Sequence, residues 1–187
     1  MLLGRLLGRE SPEETRSYAL YRQIVEQARQ QVFYRDLGVP DNLDGRFELI
    51  ALHAFLILHR LKQDHPQGAE LSQSLHDLFF ADMDQSLREM GAGDIGVGKR
   101  IKRMVQGFHG RVRAYDDGLG GDSGQLEDAL RRNLYGTVGA REPWIEKMAG
   151  YTRAQSHALE RMGFVELVDG KSAFAGTPLP TVAGEPL

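Results

Sequence analysis

The sequence predicts an all-α protein, a single compact bundle of about six to seven helices followed by a flexible C-terminal tail. Apolar residues recur three and four positions apart along most of the chain, which is the spacing of one face of an α-helix. Capping residues begin several of these stretches and glycines end them, and strands do not alternate with helices. With 187 residues, the chain is long enough for one domain with its own core.

Three regions are expected along the chain. Residues 1–10 form a short basic amphipathic segment, residues 11–163 the helical domain, and residues 164–187 a weakly structured tail. The leucines and arginines of the first segment are typical of a stretch that touches a membrane interface, and a frayed terminus is the alternative. A weak hairpin is expected over residues 165–174, around Asp169-Gly170.

The first helix is expected to begin at a capping box. Ser11 can cap the helix, Pro12 suits its first position, and Glu14 completes the box. The helix is predicted to run to about Gln30. A turn-rich connection that includes Gly38-Val39-Pro40-Asp41 then separates it from the next helix.

The segment Phe47–Leu61 is apolar on nearly all sides. It is shorter than the roughly 18 residues that a membrane-spanning helix needs, so it is predicted to be the central buried helix of the bundle. Either Asp41 or Asn42 can cap it. His53 and His59 lie on different faces of this helix, and we expect core or boundary histidines there, not a metal-chelating pair.

Two further amphipathic helices flank a glycine-rich turn. The first carries the apolar positions of Leu71–Met90, and the second carries those of Val97–Tyr115. Residues 117–124 are expected to form a mobile glycine-rich linker. Two more helices are predicted near Leu126–Tyr135 and Pro143–Met162.

The glycine-rich turn matches two nucleotide-binding patterns. Gly91–Gly96 fits the dinucleotide pattern GxGxxG, and Gly93–Lys99 fits the front of a P-loop. Both patterns require a strand before the glycines, whereas a helix precedes them here. A P-loop also needs Ser or Thr after its lysine to bind magnesium, and Arg100 occupies that position. The turn is therefore interpreted as a structural corner, whose second helix can bind an anion at its N-terminus.

Carboxylates gather on and after the helix that precedes this turn, and they allow two interpretations. Facing aspartate-rich helices hold magnesium in all-helical enzymes that act on prenyl or phosphorylated substrates, and Asp116-Asp117 would supply the second motif. The preferred interpretation is a solvated face that pairs with Arg88 and the basic helix. The chain has no cysteine, and no catalytic residue, cofactor or metal site is predicted. The carboxylates are those of Asp77, Asp82, Asp84, Glu89 and Asp94.

The helix after the turn carries the most informative charge pattern, although the net charge of the chain is −3. Its outer face is basic, with no acid before Asp116, which is typical of helices that meet nucleic acid, an anionic membrane or an acidic partner. Gly107 and Gly110 each cost about 1 kcal/mol in a helix, which is tolerable if another backbone approaches closely. Phe108 is expected to be shared between core and interface. The candidate partner-binding residues are Arg88, Lys99, Arg100, Lys102, Arg103, Phe108, Arg111 and Arg113.

A series of motifs also runs in a fixed order over roughly Tyr18–Tyr135. The motifs are Tyr34 to Asp41, Asp44-Gly45-Arg46-Phe47, Leu52-His53, Phe80 to Asp84, Leu87-Arg88-Glu89-Met90-Gly91, Gly93-Asp94, Val97-Gly98-Lys99, Gly110-Arg111 and Tyr115. In this order they resemble the ubiquinol–cytochrome c chaperone family. Ala92 is a small departure within the turn. A match of this length is far more specific than either short glycine pattern.

The resemblance implies a non-catalytic, all-helical chaperone for the assembly of respiratory complex III, with cytochrome b or another complex III subunit as its client. The ribosome and an anionic membrane are further expected partners, and DNA is not. The chain shows no presequence of the mitochondrial type, so it looks like a bacterial member that works in the cytoplasm or at the inner face of the cytoplasmic membrane. The metal-dependent enzyme and a plain RNA-binding protein are the alternatives.

Overall fold

The computed structural model describes residues 12–89, 94–122, 124–169 and 173–174. Eight helices and no strand occur in these ranges, which confirms the predicted all-α fold. The amphipathic segment expected at residues 1–10 lies outside the described residues and stays a prediction. In chain order the helices are α1 (Pro12–Ala28), α2 (Gln31–Arg35), α3 (Leu43–Gln63), α4 (Gln67–Glu89), α5 (Asp94–Gly120), α6 (Gln125–Arg132), α7 (Glu142–Arg161) and α8 (Phe164–Val168).

The central buried helix is α3, as predicted, and it contacts α1, α4, α5 and α7. The apolar side chains from Leu49 to Ile57 are buried. Asn42 caps α3 by accepting a hydrogen bond from the Gly45 backbone N–H at 3.0 Å. A Cβ atom on Gly45 would lie 2.0 Å from the Pro40 carbonyl oxygen, so glycine allows the incoming connection to pack against the helix. No helix in the described ranges has the length and apolar character needed to cross a bilayer.

The mobile linker expected at residues 117–124 is helical as far as Gly120, so that expectation is wrong for its first half. The reason is close packing between α5 and α6. A Cβ atom on Gly118 would lie 2.7 Å from the Leu126 Cα, so the glycine here allows two helix backbones to approach. The turn itself depends on Gly124, whose φ of 103° favours glycine.

The hairpin expected over residues 165–174 is also wrong, because its first half forms α8. Leu167 is buried, and the ring of Phe174 meets the ring of His53 edge-on at 5.2 Å. The packed part of the chain therefore continues past residue 163, where the helical domain was expected to end. Only a few apolar side chains make these contacts, too few to produce a clear periodic pattern in the sequence.

His53 is a fully buried polar group in the core. Its Nδ1–H donates to the Leu49 carbonyl oxygen at 2.7 Å, and its Nε2 accepts from the Tyr151 hydroxyl at 2.8 Å. Gln27 Nε2 in turn donates to the Tyr151 oxygen at 2.9 Å. Burial lowers the pKa of His53 to about 4, and the hydrogen bond to the Leu49 carbonyl acts in the opposite direction. The expectation of a core histidine with its hydrogen bonds satisfied is confirmed.

The free energy of unfolding is expected to fall as the pH drops from about 6.5 to about 4. In this window the unfolded chain protonates His53 whereas the folded chain does not, so protons favour unfolding. At pH 4.5 the loss relative to pH 7.5 is on the order of 2 to 3 kcal/mol from this residue. Urea unfolding of the wild type and of His53→Gln at both pH values measures it. Carboxylates titrate in both proteins and cancel in the comparison, and equal losses in the two proteins would contradict the assignment.

Candidate partner-binding cleft

A cleft of about 550 Å³ opens between α1, α3, α4 and α5. This volume is in the usual range for binding pockets in proteins. Charged side chains surround a set of apolar ones, so the cleft can contact both parts of an amphipathic ligand. The apolar lining residues are Val25, Leu43, Phe47, Ile50 and Met83, and the arginines are Arg29, Arg46, Arg103 and Arg111.

The N-terminal half of α3 supplies the largest part of the apolar lining. Leu43, Phe47 and Ile50 are four and three residues apart, so they lie on one face of the helix. The ring of Phe47 stacks on Phe79 with centroids 6.0 Å apart. The Arg111 guanidinium lies 5.5 Å from the Phe47 ring centroid, which adds a cation–π contact. The cleft therefore has a wall that is fixed by core packing.

A buried ion pair closes one side of the cleft. Arg111 donates through Nε to Glu48 Oε2 at 2.6 Å and through Nη2 to Oε1. Burial raises the pKa of Glu48, and its hydrogen bonds with Arg111 act in the opposite direction. Arg111 is only 22% exposed, so the expectation that it lies on the outer face of the basic helix is wrong. It faces the bundle because the carboxylate of Glu48 is buried there and needs a partner.

The sequence suggested that another backbone approaches α5 closely at Gly107 and Gly110. The structure shows no such approach at either glycine. A Cβ atom on Gly107 would meet the Arg111 guanidinium at 2.6 Å, whereas one on Gly110 would meet open space. Gly107 thus leaves room for the arginine that pairs with Glu48. No structural reason for glycine at position 110 is visible.

Phe108 lies in the core and is 1% exposed. Its ring packs against Phe79 and Phe80, with centroids 5.1 and 5.6 Å away. The expectation that it is shared with an interface is therefore wrong. On α5 it points toward α4, where aromatic side chains surround it, and no part of it is left for a partner.

Three of the predicted cations do lie at the surface. Lys99, Arg103 and Arg113 are exposed, and none of them forms an ion pair within the part of the chain that the structure describes. Arg103 also lines the cleft, so the basic face of α5 and the cleft are continuous. The side chains of Arg100 and Lys102 lie outside the described residues. Within the described residues, pairing with the neighbouring acidic helix does not account for Lys99, Arg103 and Arg113.

Asp77, Asp82 and Asp84 of α4 and Asp116 of α5 have separate partners instead of converging on one point. Among the described residues, no group of three or more potential metal ligands occurs. The described carboxylates of the two aspartate-rich motifs are thus spread over separate partners. The pairs are Asp82 with the Tyr21 hydroxyl (2.7 Å), Asp84 with Arg88 (2.8 Å), Asp77 with Gln73 (2.8 Å), and Asp116 with His59 (2.6 Å) and Lys62 (3.1 Å).

The glycine-rich turn lies between two helices. α4 ends at Glu89, and α5 begins at Asp94, inside both nucleotide-binding patterns. Residues 90–93 lie outside the described residues. The helix that precedes the turn agrees with its interpretation as a structural corner, because both patterns need a strand there.

The cleft and its lining residues outside α5 were not predicted from the sequence. Arg29 and Arg46 lie on other elements, and nothing in the sequence connects them with Arg103. One residue could have indicated the cleft. Leu43 is a large apolar residue directly after the helix cap Asn42, and the core does not cover it.

These features define an all-α helical bundle with an open cleft of mixed apolar and cationic character. A family model described as "Ubiquinol-cytochrome C chaperone" matches residues 35–174. The chain belongs to this family, which confirms the resemblance seen in the sequence.

Individual relatives carry related names. The chain is 25% identical over 152 residues to "Ubiquinol-cytochrome-c reductase complex assembly factor 1" of Xenopus laevis, covering 81% of this chain and 73% of that protein. It is 25% identical over 149 residues to the similarly named mouse protein, covering 80% of this chain and 50% of that one. It is 29% identical over 147 residues to "Protein CBP3, mitochondrial" of Saccharomyces cerevisiae, covering 76% and 44%. The chain spans about half the length of the mouse protein.

The fold also matches the crystal structure of the Cbp3 homolog from Brucella abortus. The TM-score is 0.79 at 36% sequence identity, and the match covers 88% of this chain and 91% of the other. The similarity to a bacterial structure agrees with the bacterial-type member expected from the sequence.

Proposed function

We propose that the protein is a non-catalytic assembly chaperone of the ubiquinol–cytochrome c reductase complex and that it binds newly made cytochrome b. Family membership and the names of the relatives support the assembly role. The observation that carries the binding role is the set of exposed cations Lys99, Arg103 and Arg113 on α5, which form no ion pair within the described residues, beside an apolar-lined cleft. A chaperone must hold an unassembled client, and a surface whose apolar and charged groups are unsatisfied by its own fold suits that task.

The cationic face also affects how the client arrives. Clustered exposed charges attract oppositely charged partners over about one Debye length, roughly 8 Å at physiological salt, and accelerate association. The same field attracts ribosomal RNA and anionic lipid, so the working place that we propose is the inner face of the cytoplasmic membrane, where cytochrome b is inserted. Binding to each of these partners should weaken as the salt concentration rises.

The assembly role is tested by deleting the gene in a respiring cell and by recovering partners of the tagged protein at moderate salt. We expect a deficit of assembled ubiquinol–cytochrome c reductase and recovery of cytochrome b. Recovery of ribosomes that is lost after nuclease treatment would instead identify RNA as the ligand of the cationic face. Normal amounts of the complex in the deletion strain would overturn the proposal.

Charge reversal on α5 is expected to weaken client binding. The variant combines Lys99→Glu, Lys102→Glu and Arg103→Glu, and the recovery of cytochrome b should drop at least about tenfold. Each reversal removes an attraction worth about 0.5–1 kcal/mol and adds a repulsion, and 1.4 kcal/mol corresponds to a factor of ten. The helical circular-dichroism signal should stay unchanged, because Lys99 and Arg103 are exposed and without ion pairs within the described chain.

A control variant reverses two exposed charges on α7, with Lys147→Glu and Arg161→Glu. This variant changes the net charge in the same direction at a distance from the cleft, and its client recovery should resemble that of the wild type. Equal recovery with the α5 variant and the α7 control would exclude the α5 face as the binding surface.

A further inference from the structure

We infer that the cleft is the docking site for one short segment of a partner protein, in which an acidic side chain stands within one helical turn of a large apolar side chain. The inference rests on the proposed function, since it specifies which part of a client the chaperone holds. It shares Arg103 with the cationic face of α5 but extends beyond that face, because it also concerns side chains that α1, α3 and α4 contribute.

The expectation of a large apolar side chain in the partner segment comes from Leu43. It is 43% exposed and is one of four large apolar side chains that the described part of the chain leaves exposed. Leu43 stands at the cleft beside Phe47 and Ile50, with Val25 and Met83 in the same lining. Covering this apolar surface by a large apolar side chain of a partner removes it from water, which favours binding.

The expectation of an acidic side chain in the partner segment comes from the polar groups of the cleft that lack partners within the described residues. Glu48 is paired with Arg111, and the Asp82 carboxylate accepts a hydrogen bond from a tyrosine hydroxyl. Arg29 and Arg103 have neither an ion pair nor a side-chain hydrogen bond within the described residues. The unmet groups are therefore guanidinium donors, and a carboxylate is the acceptor whose geometry matches them.

Two other charged residues line the cleft, and they do not change its excess of unpaired guanidinium groups. Arg46 is paired with Asp41 at 2.8 Å. Asp44 lies in the first turn of α3, where the free N–H groups and the helix dipole stabilise a negative charge. The cleft thus has stabilised anions and unpaired cations.

A protein segment fits the cleft better than a membrane or a nucleic acid does. The site is a concave space of about 550 Å³ between four helices, which admits a few side chains and excludes a flat bilayer surface. A polyphosphate chain is negatively charged at every unit, so some of its charges would meet the carboxylates of Asp44, Glu48 and Asp82, which repel them. A single carboxylate of a protein segment can instead lie at Arg29 and Arg103 alone. Lipid and RNA are therefore the alternative outcomes of the test.

Photo-crosslinking in the full-length protein tests the inference. The photoreactive residue p-benzoylphenylalanine replaces Leu43, whose exposure and position at the start of α3 tolerate a larger apolar side chain. The matched control places it at Val138, which is 41% exposed and lies outside the cleft lining. After irradiation of respiring cells, mass spectrometry identifies what is attached at each position.

At position 43 we expect one dominant protein segment that carries Asp or Glu within four residues of a large apolar residue, and we expect no such adduct at position 138. Combining Arg29→Gln with Arg103→Gln should lower the adduct yield at least about tenfold, and Arg29→Lys with Arg103→Lys should restore part of it. Adducts with lipid or RNA, a segment without a carboxylate, or an unchanged yield in the glutamine variant would each overturn the inference.

The results distinguish a failure of the docking site from a failure of the proposed function. An acidic, apolar segment from a protein outside the ubiquinol–cytochrome c reductase complex would support the docking site and contradict the proposed client. A complex that depends on the gene, combined with no adduct at position 43, would support the proposed function and overturn the docking site.

Discussion

Replacing Phe108 by alanine is expected to lower the free energy of unfolding by about 4 kcal/mol, the range for removing a phenylalanine ring from a well-packed core. The ring is 1% exposed and packs between Phe79 and Phe80, so neighbouring helices cannot fill the space without moving. Urea unfolding followed by circular dichroism measures the change. Phe108→Leu, which keeps part of the volume, should lose clearly less.

The control is Val165→Ala, because Val165 is exposed and its truncation should change stability by less than about 0.5 kcal/mol. The sequence alone had suggested that Phe108 contacts a partner. If Phe108→Ala lost client binding while its unfolding free energy stayed within about 1 kcal/mol of the wild type, that interface role would be correct and the core assignment wrong.

Replacing Arg111 by methionine is expected to cost about 3 kcal/mol, because it leaves the Glu48 carboxylate buried without its partner. The Glu48 side chain is 9% exposed, so little water can replace the two hydrogen bonds that Arg111 donates. The value lies at the lower end of the range for buried pairs because Arg111 itself is 22% exposed. Urea unfolding at neutral pH measures it.

The double variant Glu48→Gln, Arg111→Met separates the lost partner from lost packing. Removing both charges eliminates the buried uncompensated carboxylate, so more than half of the stability should return. If the double variant is as unstable as Arg111→Met alone, packing of the arginine stem is the main contribution, and the ion pair is not.

The local pattern of apolar and capping residues was sufficient to predict most of the helices. The apolar run of α3 predicted a buried central helix, and Leu49 to Ile57 are buried. A helix cap at Asp41 or Asn42, a core or boundary position for His53 and the helix that leads into the glycine turn were also predicted, and the structure shows Asn42 as the cap and His53 in the core. Each of these depends on residues close together in sequence, whose periodicity and capping chemistry act within one element.

The errors concern contacts between elements. A helical stripe indicates which face of α5 is apolar, but the width of the buried arc depends on its neighbours. α5 contacts α3, α4 and α6, so the arc includes Phe108 and draws Arg111 inward to Glu48. In the same way, Gly118 was interpreted as part of a flexible linker, although it is where the backbones of α5 and α6 meet.

The sequence by itself determined the helical class, the helix ends that have capping signals, the basic character of α5 and the family, because each depends on the order of nearby residues or on motifs in series. Only the tertiary structure decided which cations are free and which are paired, and that a cleft exists. Its lining comes from α1, α3, α4 and α5, which are separated in the chain. Their side chains meet only because each helix buries its own apolar face against the others, and that packing is set by the whole core.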